Sequence, residues 1–183
     1  MVYWLLFPLA GHIHAFNLFR YISFRAGGAC LTALVISFWV GPKLIRRLRT
    51  LQRHGQPIRV DGPERHLLEK KGTPTMGGTL ILLAMGASTL LWADLSNGYV
   101  WATLFLTFGY GAIGFADDFL KLTRRNTKGV SGRVRLLGEA AIGLIAGLWM
   151  VHLMPPALAD GVAVPFFKNL LIPLGFMFPV FAC

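Results

Sequence analysis

Cysteine is nearly missing from this sequence. Two residues, Cys30 in an apolar run and Cys183 at the last position, cannot frame a disulfide scaffold, and their spacing offers no zinc site. Charge is scarce as well: 14% of the 183 residues are charged, with 8 Asp+Glu against 18 Lys+Arg. Soluble domains carry about a quarter charged residues, so an ordinary soluble enzyme and a disordered tail are both excluded. The first basic residue is Arg20, so the positive n-region of a cleavable secretory signal is not expected. HExxH, P-loop, GxGxxG and nucleophile-elbow patterns are lacking too.

Apolar residues dominate instead, at 55% of the chain, with a mean hydropathy of +0.58. A net charge of +10 suits either nucleic acid or an anionic membrane face. The hydrophobicity selects the membrane, and no nucleic-acid partner is expected. A spanning helix needs about 20 mostly apolar residues. Stretches without Asp, Glu, Lys or Arg cover residues 26–42, 72–93, 95–116 and 140–159, and a last one runs from 169 to 183. The expected fold is an all-α polytopic membrane protein, one transmembrane domain over 1–183. It has four complete spans and a truncated fifth.

The connections alternate in charge. Residues 43–71 hold nine basic side chains and 117–139 hold six, so fifteen of the 18 fall in two loops. By the positive-inside rule both loops are cytoplasmic, which puts the N-terminus on the periplasmic side. Within the first, KLIRRLRTLQRH at 43–54 reads as a basic amphipathic extension of the first span, with Leu44, Leu48 and Leu51 on one face. It serves as a topology anchor or guides an anionic substrate to the surface. Further on, Thr73 is a good N-cap and Pro74 suits a first helical position, so the second span should start there. Lys70 and Lys71 flank that end, where free N–H groups favour anions. A capped span with flanking lysines and a phosphate site both fit.

Asp117 and Asp118 close the third apolar stretch. At a helix C-terminus two carboxylates oppose the helix dipole, which Lys121 relieves in part as an i,i+4 partner of Asp117. Such local conflict marks functional sites, although a solvated helix end with an ion pair also fits. Adjacent helical residues point about 100° apart, so the pair cannot both face one small target. A hydrated Mg²⁺ shared with a diphosphate would suit Asp117 or Asp118. Most of the basic residues in the Thr123–Arg135 segment read as topology signals.

These segments together resemble the phospho-N-acetylmuramoyl-pentapeptide transferases, a branch of the polyprenyl-phosphate N-acetylhexosamine-1-phosphate transferase superfamily. The resemblance is carried by FNLFRYISFR at 16–25, DGPERH at 61–66, KKGTPTMGG at 70–78, GYGAIGFADDFLK at 109–121, NTKG at 126–129 and VPFFK at 164–168. It implies that undecaprenyl phosphate attacks the sugar-proximal phosphorus of UDP-N-acetylmuramoyl-pentapeptide, releasing UMP and forming lipid I, with Mg²⁺ as cofactor. It also implies the bacterial inner membrane, a cytoplasmic active face, roles in cell-wall synthesis and division, and a homodimer. By resemblance Asp117, Asp118 and Lys70 are the catalytic set, and Thr75, Lys121 and Arg133 contact substrate. Family members are about twice this length. The second half brings an Asn/Asp-rich loop, a metal-binding aspartate motif and a histidine-rich loop that this sequence lacks. The chain is therefore expected to be a truncated or partial sequence, inactive alone, with the main metal aspartate beyond residue 183. Alternatives are a related transferase for another UDP-sugar and a non-enzymatic membrane scaffold.

Overall fold

The computed structural model describes residues 2–6, 14–52, 76–124, 129–155, 161–163 and 171–173. In chain order these form α1 (Val2–Leu6), a 3-10 turn (His14–Arg20), α2 (Ile22–Leu51), α3 (Gly78–Trp92), α4 (Gly98–Thr123), α5 (Gly132–Leu153) and two short strands, β1 (Gly161–Ala163) and β2 (Leu171–Pro173). The described chain is thus helical, as the apolar runs require. Backbone groups placed in lipid have no water to bond, and a helix satisfies them within one segment. Side-chain hydroxyls follow the same rule: Thr103 and Thr107 donate to the carbonyls of Tyr99 and Thr103, each at 2.8 Å.

Three helices, α2, α4 and α5, are long and apolar enough to cross a membrane. Their limits differ from the expected spans. The first runs on to Leu51, past Pro42, so the basic extension is helical as expected. Leu44 and Leu48 are half-buried there, while Arg46, Arg47 and Arg49 are exposed. The third expected span does not stop at residue 116, because α4 continues to Thr123; the fourth starts at Gly132 instead of 140. The charge-free stretches are shorter than the helices at these ends: a charged side chain leaves the lipid, but nothing in FADDFLKLT or GRVRLLGE stops the backbone from coiling.

For the second span, the expected start at Thr73 and Pro74 lies outside the described residues. A start at Thr73 and Pro74 would carry the helix through Met76, whose φ of 73° lies in the left-handed region. That conformation breaks a right-handed helix. The described helix, α3, begins at Gly78 and has 15 residues, short of the roughly 20 that a full crossing needs. Of the expected fifth span, residues 171–173 are described, and they are extended, with Val162 opposite Ile172 in an antiparallel pair. Short apolar runs do not distinguish strand from helix by periodicity, and the rest of the expected fifth span lies outside the described residues.

Two compact units divide the chain: Met1–Ser96 with Gly114–Ser131, and Asn97–Ile113 with Gly132–Cys183. In the first, α2 and α3 run antiparallel in close contact. Trp92 fills the space beside Gly28 at one end, and Leu80 packs at Gly41 at the other. The Trp92 ring stacks on Phe19, with centroids 5.8 Å apart, and meets Phe24 edge-on. Its Nε1–H donates to Thr32 Oγ1 at 2.9 Å, and that hydroxyl donates to the Gly28 carbonyl at 2.8 Å. Ala84 and Ser88 of α3 are buried, and the Ser88 hydroxyl donates to the Ala84 carbonyl. In the second unit the first part of α4 runs antiparallel to α5. Tyr99 donates its hydroxyl hydrogen to the Leu153 carbonyl at 3.0 Å, Gly109 faces Ile142, and Ile113 faces Gly138. Small residues at these crossings allow helices to approach closely, the usual solution where lipid offers no hydrophobic drive for association.

Candidate functional site

The two adjacent aspartates lie inside α4, not at its end. Five more helical residues, about 1.4 turns, follow Asp118 up to Thr123. The expected clash with a helix C-terminus is therefore milder than the sequence suggested, because the dipole acts mainly over the last turn.

Asp117 is the more enclosed of the pair, at 9% exposure, and Asp118 is half-buried. Two groups hold the Asp117 carboxylate from different directions. Lys121 Nζ donates to Oδ2 at 2.5 Å, the i,i+4 pair that the spacing predicts. Val130 donates its backbone N–H to Oδ1 at 2.8 Å from the loop that follows α4. Both bonds involve a charged partner and are the stronger kind of hydrogen bond. Gly129 adjoins them: a Cβ there would collide with the carboxylate and would sit 2.9 Å from Lys121 Cε. The sequence places Gly129 at the end of NTKG, one of the segments that carry the resemblance. Its contact with Asp117, thirteen positions before Val130, leaves no trace in local pattern.

Phe115 and Phe119 stack at a centroid distance of 6.2 Å, both about half exposed. By helical geometry they lie on the side of α4 opposite Asp117, with Asp118 on the flank of their stripe. The two carboxylates therefore address different surroundings, as their 100° offset demands.

Other expected site residues are placed less fully. Arg133 is the second residue of α5 and exposed. Arg135 pairs with Glu139 at 2.8 Å on the same helix. Lys70 and Thr75 lie outside the described residues. Among the described residues no group of three His, Cys, Asp or Glu side chains could hold a metal ion. Both oxygens of Asp117 are already turned to Lys121 and Val130. The described residues alone therefore do not build a Mg²⁺ site.

A carboxylate fixed by an ammonium and a backbone amide cannot rotate freely. A lysine with three donors can hold it and still offer a hydrogen to an incoming phosphate oxygen. The arrangement thus suits the alignment of anions.

Residues 70–82 match the model described as phospho-N-acetylmuramoyl-pentapeptide-transferase signature 1. This stretch includes Lys70, Thr75 and the left-handed Met76. The phospho-N-acetylmuramoyl-pentapeptide-transferase of Granulibacter bethesdensis is 66% identical over 181 residues, 99% of this chain and 50% of that protein. Its namesake in Gluconacetobacter diazotrophicus is 63% identical over 94% of this chain and 48% of its own length. That of Maricaulis maris is 53% identical over 100% of this chain and 51% of its own length. The resemblance expected from the sequence holds: the chain is a relative of these transferases along its own length and spans about half of theirs.

Proposed function

We propose, from this kinship with the phospho-N-acetylmuramoyl-pentapeptide-transferases, that the chain carries part of the machinery that joins UDP-N-acetylmuramoyl-pentapeptide to undecaprenyl phosphate, with release of UMP. The observation that carries the proposal is the match of 66% identity over 99% of the chain, together with the signature at residues 70–82. The inner membrane, the cytoplasmic active face, the periplasmic N-terminus, the homodimer and Mg²⁺ dependence are parts of the same proposal.

In this reading Asp117 positions the lipid phosphate. A phosphate whose second pKa is about 6 is largely ionised at neutral pH, so proton removal adds little. The larger cost is bringing two anions together, and fixed positive groups lower it. Lys121 is held beside Asp117 and supplies one such charge. Lys70 supplies another, and Thr75 and Arg133 contact the UDP portion. Asp118 acts on the other flank of the helix. The chain by itself is proposed to be inactive; UMP release by purified 1–183 would overturn that.

The test joins this chain to the remaining half of the Granulibacter bethesdensis relative. The chimera is expected to form lipid I in membranes supplied with undecaprenyl phosphate and the UDP-linked pentapeptide. Asp117→Asn should lower the rate by at least about a hundredfold, the scale of removing one preorganised charge contact. Unchanged lipid I formation in that variant would refute the assignment.

A further inference from the structure

We propose that Gly129 and the backbone N–H of Val130 are positioning elements for the Asp117 carboxylate, and that residue 129 is glycine because Asp117 occupies the space of a side chain. The catalytic consequence rests on the transferase reading above; the geometry does not.

Three observations converge. Val130 donates its N–H to Oδ1 at 2.8 Å. Lys121 holds Oδ2 at 2.5 Å. A Cβ at residue 129 would strike the carboxylate and press on the Lys121 stem. Backbone strain is not the reason for the glycine, since its φ is not in the left-handed region. The missing side chain provides room. With the carboxylate buried and bound at both oxygens, Asp117 has one orientation. The loop after α4 thereby sets which way the carboxylate faces. A methyl group at 129 would move Asp117 and Lys121 together, because it meets both.

An aspartate aimed by a loop differs from one that merely caps it. If the loop aims Asp117, moving the carboxylate should slow turnover more than it weakens binding. A misplacement of about 1 Å can cost on the order of a hundredfold in rate.

The experiment has two arms. In the first, the ¹⁵N-labelled 183-residue chain is studied in detergent micelles. The Val130 amide proton is expected far downfield and protected from exchange. Asp117→Ala and Gly129→Ala should both move it upfield and expose it, whereas Asp118→Asn should leave it in place. Thermal unfolding of the Asp117→Ala/Gly129→Ala double variant should match Asp117→Ala alone, since the added methyl then has nothing to strike. An unmoved Val130 amide in Asp117→Ala, or a full additive loss in the double variant, overturns the cradle. In the second arm the chimera carries Gly129→Ala. Its kcat should fall by about ten- to a hundredfold with KM within about twofold. An unchanged kcat removes the positioning role. If Asp117→Asn itself leaves lipid I formation intact while the amide signature stands, the transferase reading fails and the cradle survives.

Discussion

The indole of Trp92 lies where a side chain at Gly28 would be, with ring carbons 2.5 to 2.7 Å from the position of a Cβ. The ring cannot retreat cheaply, because Phe19 stacks on it and Thr32 accepts its N–H. Gly28→Ala should therefore destabilise the chain by about 1–3 kcal/mol, the usual cost of overpacking. Thermal unfolding in detergent, followed by near-UV circular dichroism, measures this. A neutral substitution would mean that the α2–α3 crossing is looser than described.

Tyr99 reaches the far end of α5 to donate to the Leu153 carbonyl. Tyr99→Phe removes the hydroxyl and little else. A loss of about 1 kcal/mol is expected, the net worth of one hydrogen bond, read from denaturant titration in micelles.

Arg135 and Glu139 form an ion pair at the surface, both at least one-third exposed. Exposed i,i+4 pairs are worth roughly 0.3–0.5 kcal/mol and are screened by salt. Glu139→Gln should change unfolding by no more than that, with the difference shrinking as salt is raised. A larger loss would indicate a further partner for Glu139.

Ser96 and Arg124 stand just beyond opposite ends of α4. The proposed topology places Ser96 outside and Arg124 in the cytoplasm. With Cys30 and Cys183 replaced by serine, a single cysteine at 96 should react with an impermeant maleimide in intact cells. One at 124 should react only after permeabilisation, and the reverse pattern would invert the orientation.

Much of this protein was legible in its sequence. The apolar runs gave helices, because a backbone in lipid must bond to itself. The basic run after Pro42 gave a helical extension, and the four-residue spacing of Asp117 and Lys121 gave their ion pair. Each of these follows from neighbours within one or two turns. The differences arise where local pattern is silent. Charges neither end α4 at residue 116 nor delay α5 to residue 140, because charge limits depth in the membrane and not coiling. The described helix α3 begins at Gly78, after the left-handed Met76, and local pattern gives no sign of that conformation. Local pattern could not tell an extended Leu171–Pro173 from another helix.

Tertiary structure alone decided what holds the Asp117 carboxylate. Two identical, adjacent side chains differ only in what the fold brings to each. Asp117 meets an amide and a glycine from a loop more than ten residues away, whereas the place of Asp118 on the flank of the phenylalanine stripe follows from helical spacing. Sequence order records the spacing along a helix, but a contact closed by a turning loop depends on where the chain returns in space.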